Sequence, residues 1–150
     1  MKHSIFIVTI LLLLSCSEKT HEPTVLVESF FFTYEEKGIY NALDNVFQTN
    51  EWLLKQSTDV IENLKKDLNA HISLIGNYRG YEIISERSIG ESLKHYSCIV
   101  KYDRQPLRFS FMFYKASSSW VLYNFKYDDN LIDELDEAAK FYYLKSLVSG

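Results

Sequence analysis

The sequence predicts an α+β fold, in which N-terminal helices pack on a curved four-stranded antiparallel sheet and a further helix follows at the C-terminus. Between residues 25 and 75, apolar side chains recur every three or four positions, which is the period of one helix face. After residue 80 the period changes to two, most clearly where Phe109, Phe111 and Phe113 alternate with other side chains. Short turns separate the predicted strands, and such turns join antiparallel neighbours.

Three helices are expected before the sheet. The first spans residues 25–36 and ends at Gly38, because glycine adopts the left-handed conformation at little cost. The second follows Gly38 and buries a stripe made of Ile39, Leu43, Val46 and Phe47. The third begins at Asn50 as N-cap and ends at Gly76, and Ser57-Thr58-Asp59 is expected to kink or restart it.

Four strands and a last helix are expected in the second half of the chain. The strands cover residues 81–89, 93–102, 107–114 and 120–127, with turns at Gly90-Glu91, before Pro106 and at Ser117-Ser118-Ser119. The last helix covers residues 131–147 and carries an apolar stripe that includes Leu135, Ala139 and Tyr142.

The strand patterns predict a sheet that is apolar on both faces. One face is expected to carry Ile99, Phe109, Phe111, Phe113, Trp120 and Leu122, and the other Tyr96, Cys98, Val100, Met112, Tyr114, Val121, Tyr123 and Phe125. The N-terminal helices cover only one face, so the last helix, a second subunit or a ligand must cover the other. The protein is therefore expected to be a monomer or a homodimer, with a pocket or interface at Tyr96, Met112, Tyr114 and Tyr123.

The N-terminus has the pattern of a secretory signal. Lys2-His3 precedes a stretch of ten mostly apolar residues, 5–14, which is too short for a membrane-spanning helix of about 20 residues. Leu13-Leu14-Ser15-Cys16 resembles the lipobox of bacterial lipoproteins. The resemblance implies a signal peptide of residues 1–15, acyl chains such as palmitate on Cys16, and a membrane as partner. A plain secretory signal cut elsewhere is the alternative.

The residues after Cys16 bear on the compartment. Residues 16–23 are polar and form a short tether, and residues 24–150 are expected to be a single domain. Ser17 is not the aspartate of the enterobacterial inner-membrane pattern, which favours the outer membrane, on its periplasmic or its surface side.

Composition excludes several classes of function. Removing residues 1–15, which hold one lysine and no acid, leaves 135 residues with 15 basic and 20 acidic side chains, a net charge of −5. This acidic balance argues against nucleic-acid binding. Cys98 is the only other cysteine besides Cys16, so no intramolecular disulfide is expected. The sequence contains no motif for a metal or another cofactor, and none is expected.

Segments of the domain resemble one superfamily. They are Phe30-Phe31-Phe32-Thr33-Tyr34-Glu35-Glu36-Lys37-Gly38, Ala42-Leu43-Asp44, Gly80-Tyr81-Glu82 and Trp120-Val121-Leu122-Tyr123-Asn124-Phe125. Over residues 24–127 the chain is similar to the nuclear transport factor two-like, or cystatin-like, cone domains, and most like small lipoproteins of Bacteroidetes-type bacteria. Such domains include isomerases, dehydratases, hydrolases and non-enzymes, and the enzymes place an Asp, His or Tyr between sheet and helices. The C-terminal helix departs from the common ending and puts the usual dimer face in doubt.

His95 is the only candidate catalytic residue. Its alternation with Leu93, Ser97 and Ile99 directs it toward the helical side, where it could act as a general base. The alternative is a strand-end histidine partly in water. His71 is expected at the flank of its helix, and Asp44 on the solvent side.

Charged and aromatic residues on the strands and the last helix have two interpretations each. Glu82, Glu86, Arg87 and Arg108 suggest cross-strand ion pairs or, alternatively, a carboxylate dyad. Six acids in residues 128–137 suggest favourable charges at a helix start or, alternatively, a Ca²⁺ site without EF-hand spacing. The strand tyrosines suggest core or interface packing or, alternatively, a stacking surface for sugars.

The sequence therefore predicts a membrane-anchored cell-envelope lipoprotein whose domain is a non-catalytic binding or interaction module, because no acid/base pair is evident. A small-molecule enzyme of the isomerase or hydrolase type and a structural partner in an envelope assembly are the alternatives.

Overall fold

A computed structural model describes residues 21–148 and shows an α+β fold. Helices α1 (Pro23–Lys37), α2 (Ile39–Phe47), α3 (Glu51–Gln56) and α4 (Thr58–Ile75) precede the sheet. The strands β1 (Tyr78–Ile89), β2 (Leu93–Tyr102), β3 (Leu107–Lys115) and β4 (Trp120–Asp128) pair in that order, all antiparallel, in a sheet that is curled but not closed. Helix α5 (Ile132–Val148) follows. The predicted signal peptide and Cys16 lie outside the described residues.

The helix boundaries follow from local chemistry. Gly38, at a φ of 85°, separates α1 from α2, and Gly76, at a φ of 101°, ends α4. Asn50 caps α3 as predicted, because its side-chain oxygen accepts a hydrogen bond from the Leu53 backbone N–H at 3.0 Å. The predicted third helix is two helices, α3 and α4, which meet at Ser57. Ser57 is part of the segment that was expected to kink or restart the helix.

The core lies between α1, α2 and α4 and the inner face of the sheet. Phe30 of α1 is at its centre, with its ring centroid 5.0 Å from that of Phe111 and 6.0 Å from that of Phe125. Phe109, Phe111 and Phe113 are fully buried, and Phe109 and Phe111 contact the α1 rings, which confirms that this strand faces the helices.

The prediction of a sheet apolar on both faces is wrong. The register places Tyr96 opposite Phe111 and Cys98 opposite Phe109, so β2 turns its even-numbered residues inward with the phenylalanines. Ile99, predicted beside those phenylalanines, is on the outer face instead and is half-buried. The phase of β2 could not be fixed by its own pattern, since apolar residues occupy both parities. Pairing with β3 fixes it.

A bulge in β4 accounts for the second part of this error. Met112 pairs with Asn124 and Phe113 pairs with Leu122, which leaves Tyr123 as an extra residue. Leu122 and Phe125 are three positions apart and are both buried. The outer face of the sheet is consequently mostly polar, with Ser97, Arg108, Ser110, Asn124 and Lys126 on it, while Ile99 and Met112 are apolar residues of the same face. One apolar and one polar face is the usual arrangement of an antiparallel sheet.

Helix α5 is attached to the outer face by polar contacts. Glu134 accepts hydrogen bonds from Ser97 Oγ at 2.9 Å and Arg108 Nη1 at 3.2 Å, and Glu137 pairs with Arg87 at 2.6 Å. Of the three covers predicted for the outer face, the last helix does not bury its stripe of Leu135, Ala139 and Tyr142 there. Leu135 is 69% exposed, Tyr142 is 73% exposed and Ala139 is also exposed.

None of the described helices combines the length and apolar character that crossing a bilayer requires.

Candidate functional site

A cleft of about 310 Å³ lies on the outer face of the sheet, beside the first turn of α5. The residues that line it come from β2, β3, β4 and α5: His95, Arg108, Ser110, Met112, Asn124, Lys126, Asp128 and Glu134. The strand residues reach the cleft because they occupy the outward positions of β2, β3 and β4. The site is therefore a product of register, with side chains far apart in sequence brought to one surface.

Arg108 organises the charged side of the cleft. Its guanidinium binds both carboxylate oxygens of Asp128, with Nε–Oδ1 and Nη2–Oδ2 distances of 3.0 Å each. The third arm binds Glu134 at 3.2 Å. Its hydrogen bonds to Asp128 raise the pKa of Arg108 above its ordinary value, against the opposing effect of burial, and Glu134 adds to the increase. Both carboxylates of the cleft are thus engaged by one cation.

His95 faces this cleft and not the helices, so its predicted orientation is wrong. The reason is the same one-residue error in the phase of β2. Burial lowers the pKa of His95 below its ordinary value, and the nearby positive charges of Arg87 and Arg108 lower it further, while Glu134 opposes them. The imidazole is consequently neutral at neutral pH, with one nitrogen able to accept a hydrogen bond and the other to donate one.

Four polar side chains of the cleft have no hydrogen-bond partner within the described part of the chain: His95, Ser110, Asn124 and Lys126. Lys126 also forms no ion pair with a described residue. The spare hydrogen-bonding capacity of the cleft is therefore mostly donor capacity, since an ammonium, an amide, a hydroxyl and an imidazole all offer N–H or O–H groups. Both oxygens of Asp128 accept from Arg108, and Glu134 Oε1 accepts from Arg108 and Ser97.

The four residues predicted as pocket or interface do not come together. Tyr96 is fully buried in the core, where its hydroxyl forms a hydrogen bond of 2.9 Å with Thr24 Oγ1. Met112 lines the cleft. Tyr114 and Tyr123 are exposed neighbours, with ring centroids 6.5 Å apart. The buried position of Tyr96 separates it from the other three, and the exposure of Tyr114 and Tyr123 contradicts the expectation that they are covered within one chain.

The remaining charged candidates are mainly structural. Asp44 is half-exposed and binds the buried Lys65, so it is only partly on the solvent side. Glu82 and Glu86 form cross-strand ion pairs, with Lys101 at 3.0 Å and Lys94 at 3.5 Å, and Arg108 does so with Asp128. Arg87 does not, because its partner is Glu137 of α5. His71 is half-buried at the edge of α4, with its ring centroid 6.2 Å from that of Tyr127.

Two other candidates concern metals and the lone thiol. No group of three or more His, Cys, Asp or Glu side chains among residues 21–148 is placed to hold a metal ion. The acids of α5 instead bind arginines through Glu134 and Glu137. Cys98 is buried in the core, and burial raises the pKa of its thiol to about 12, which leaves it protonated and unreactive.

The sequence did not indicate Ser110, Asn124 and Lys126 as site residues, and it indicated Glu134 only as one of six acids of an alternative Ca²⁺ site. The alternation of β3 contained a usable indication, because it places Arg108, Ser110 and Met112 opposite the phenylalanines. No such indication existed for Asn124 and Lys126, since the bulge at Tyr123 changes the phase of β4. The contact between Glu134 and Arg108 depends on how α5 crosses the sheet, which its own sequence does not specify.

A second concavity, of about 770 Å³, lies between α5 and the outer side of β1 and β2. Its walls are mainly apolar and include Ile84, Ile99, Leu131, Leu135, Phe141 and Tyr142. The groove exists because Glu134 and Glu137 attach α5 to the sheet at arginines, while its apolar side chains do not pack closely against the strands.

Comparisons of the chain with models of protein families, with curated proteins and with solved structures gave no match.

Proposed function

We propose that the protein is a bacterial cell-envelope lipoprotein, held on a membrane by acyl chains on Cys16, whose cone-like domain is a non-catalytic binding module. The observation that carries the binding function is the outer cleft, in which His95, Asn124 and Lys126 present polar groups that no other described residue engages. Unused donors grouped in one concavity favour a ligand that supplies the acceptors. The helices-then-sheet order supports the cone-like class, and Ser17 favours the outer membrane.

The chemistry of the cleft favours a small ligand with a carboxylate or phosphate group. Arg108 pairs with both Asp128 and Glu134, so these carboxylates repel an anion less than free carboxylates would, and the charge of Lys126 offsets the one negative charge that remains. Lys126 supplies an unpaired positive charge, and Asn124 and the neutral His95 supply further donors. Met112 adds an apolar contact, which suits a ligand with a short hydrocarbon part.

The absence of a positioned acid/base pair within the described residues supports binding without catalysis. His95 is the one residue of the cleft that is able to act as a base near neutral pH. The nearby carboxylate of Glu134 is bound to Arg108 and Ser97 and forms no hydrogen bond with the imidazole. The imidazole therefore lacks the carboxylate that orients a catalytic histidine in a triad.

One observation favours the enzyme as a second candidate. The lowered pKa of His95 leaves a neutral imidazole open to the cleft, and such a group could remove a proton from a bound ligand. His95→Gln distinguishes the two functions, because glutamine keeps a donor and an acceptor but cannot act as a base. A binding module retains ligand affinity and has no turnover to lose, whereas an isomerase or hydrolase loses its turnover.

The binding function is tested by titrating the lipidated protein in detergent with acetate, succinate and inorganic phosphate, using calorimetry. Lys126→Met is expected to weaken binding about tenfold or more, since one charge-assisted hydrogen bond contributes roughly 1.5–3 kcal/mol. Lys101→Met is the matched control, because Lys101 pairs with Glu82 and lies outside the cleft. Equal affinities of the Lys126→Met variant and the unmodified protein would place the ligand elsewhere.

The anchor is tested by labelling cells with radioactive palmitate. Cys16→Ser is expected to abolish labelling and to prevent cleavage before residue 16, because lipoprotein processing requires the cysteine. Cys98→Ser, which changes the only other cysteine, is expected to leave labelling unchanged. Palmitate incorporation into the Cys16→Ser variant would exclude lipidation at this residue.

A further inference from the structure

Helix α5 changes in composition along its length. Its first half contains Asp133, Glu134, Asp136 and Glu137, and two of these acids attach the helix to the sheet. From Lys140 onward the helix contains no acid, two lysines and a run of aromatic and aliphatic residues. The first half of α5 is thus fixed to the domain by charge, and the second half is apolar and basic.

The second half of α5 exposes apolar side chains on every side. Phe141, Tyr142, Tyr143 and Leu144 are consecutive and between 60% and 73% exposed. Four consecutive residues point around the full circumference of a helix that has 3.6 residues per turn. A groove in a partner protein covers one side of such a helix, whereas the interfacial region of a bilayer contacts every side that does not face the sheet. Tyrosine, phenylalanine and lysine are also residues that membrane interfaces favour.

The described chain begins at the same end of the molecule as this segment. Lys94 Nζ lies 3.7 Å from Glu22 Oε2 and 3.5 Å from Glu86 Oε1. The Thr24 hydroxyl forms a hydrogen bond with the Tyr96 hydroxyl of β2. Glu86 lines the groove beside α5, together with Phe141, Tyr142 and Lys145. Two side-chain contacts therefore link the start of the domain to the wall that faces the apolar half of α5.

The tether keeps this end close to the membrane. Cys16 is six residues before Glu22, and six residues reach at most about 20 Å when fully extended. A domain anchored at Cys16 must consequently hold its Glu22 end within that distance of the lipid surface.

We propose that the segment of residues 140–147 of α5 is a membrane-contact element, which inserts its aromatic and aliphatic side chains into the interfacial region of the lipid bilayer that carries the Cys16 anchor. This inference rests on the proposed lipoprotein function. The anchor and the helix form two attachments at one end of the domain and fix its orientation. Glu134 and the cleft lie two helical turns earlier on α5, so the cleft is held farther from the bilayer than the inserted segment is.

The test measures the depth of α5 in the full lipidated protein, reconstituted into phospholipid vesicles. Tyr142→Cys and, separately, Leu144→Cys carry an environment-sensitive fluorophore. Ile132→Cys is the matched control, because Ile132 is on the same helix and is 70% exposed, similar to the 73% of Tyr142. Cys98 is buried and Cys16 is acylated, so neither competes for the label. Circular dichroism checks that each variant is folded.

Labels at residues 142 and 144 are expected to shift to the blue and to lose fluorescence to nitroxide-bearing lipids, whereas the label at residue 132 stays water-exposed. Labels at 142 and 144 that behave like the one at 132 would overturn the proposal while leaving the anchor intact. A blue shift without quenching by the lipid nitroxide would assign the segment to a protein surface, such as a second copy, and would also overturn it. Mass spectrometry of the same sample reports separately on the anchor, because missing acyl chains on Cys16 would refute the lipoprotein function.

Discussion

His95 is a single residue whose protonation depends on the fold. Burial and the charges of Arg87 and Arg108 lower the pKa of its imidazole in the folded state. Above the unfolded pKa of about 6.5 the imidazole is neutral in both states, so its protonation does not lower the free energy of unfolding. As the pH falls below that value the unfolded chain binds a proton first, so the free energy of unfolding decreases until the pH passes the folded pKa.

The prediction is that His95→Gln reduces the loss of stability between pH 7 and pH 5. Urea unfolding at several pH values measures it, with His71→Gln as a control that removes a histidine outside the cleft. The slope of the free energy of unfolding against pH should fall in the His95→Gln protein. An unchanged slope would mean that the imidazole is as accessible to protons in the folded state as in the unfolded chain.

Phe111 is the residue on which the core prediction depends. Its ring is fully buried and lies 5.0 Å from that of Phe30 and 5.1 Å from that of Phe125. Phe111→Ala is expected to lower the free energy of unfolding by roughly 3–5 kcal/mol, as truncation of a buried aromatic ring removes its contacts and leaves a cavity. The side chain of Phe32 on α1 is 69% exposed, so Phe32→Ala should change the free energy of unfolding by less than about 0.5 kcal/mol. A loss below about 1 kcal/mol at Phe111 in denaturant unfolding would contradict this packing.

The face of the sheet on which a strand residue lies could be predicted only where apolar residues occupy alternate positions of that strand. In β3 the three phenylalanines occupy one parity, so the inward orientation of Phe109, Phe111 and Phe113 could be predicted from the sequence. In β2 apolar residues occupy both the odd and the even positions, so the pattern predicts the wrong faces for His95 and Tyr96. The correct phase is a property of the β2–β3 pairing, which involves contacts between strands and not a pattern within one.

At the scale of elements, most helix and strand boundaries could be predicted because they lie at residues that cap helices or form turns. Gly38, Asn50 and Gly76 each have a backbone or capping role that only a few residue types can fill. The bulge in β4 has no comparable indication, as Tyr123 fits a regular strand equally well. The attachment of β4 to the α2–α3 loop was also not predictable. Leu122 N–H donates to Thr49 Oγ1 at 2.9 Å, and its carbonyl accepts from Asn50 Nδ2 at 2.8 Å.

Helix α5 is expected to be held by its acids. Glu134→Gln weakens the contact with Arg108 and is expected to loosen α5 by about 1 kcal/mol, which corresponds to roughly fivefold faster amide exchange in that helix. Asp136→Asn removes a charge from the same helix at a residue with no ion pair in the described chain, and it should leave exchange nearly unchanged. Hydrogen exchange followed by mass spectrometry compares the two. Equal protection of α5 in both variants would mean that apolar contacts hold the helix.

For the whole molecule, the polar outer face changes what removal of α5 should do. If the sheet were apolar on both faces, as the sequence patterns predict, and the last helix covered one of them, deleting residues 131–150 would uncover a large apolar patch and cause association. In the structure the outer face carries Ser97, Arg108, Ser110, Asn124 and Lys126, and α5 itself carries a concentration of exposed apolar side chains that includes Leu135, Phe141 and Tyr142. Deletion therefore removes the exposed apolar side chains of α5 and uncovers a face that is polar except around Ile84 and Ile99.

The form made of residues 21–130 is consequently expected to be a monomer, and to aggregate less than the form made of residues 21–150. Light scattering over a concentration series measures this, and binding of a dye specific for apolar surface gives a second readout. The longer form should bind more dye, because Phe141, Tyr142 and Leu144 remain on it. Circular dichroism and cooperative unfolding show whether the shorter form is folded. A folded shorter form that associates or binds more dye would mean that α5 covers an apolar face of the sheet, which would contradict the β2–β3 register and the polar cleft built on it.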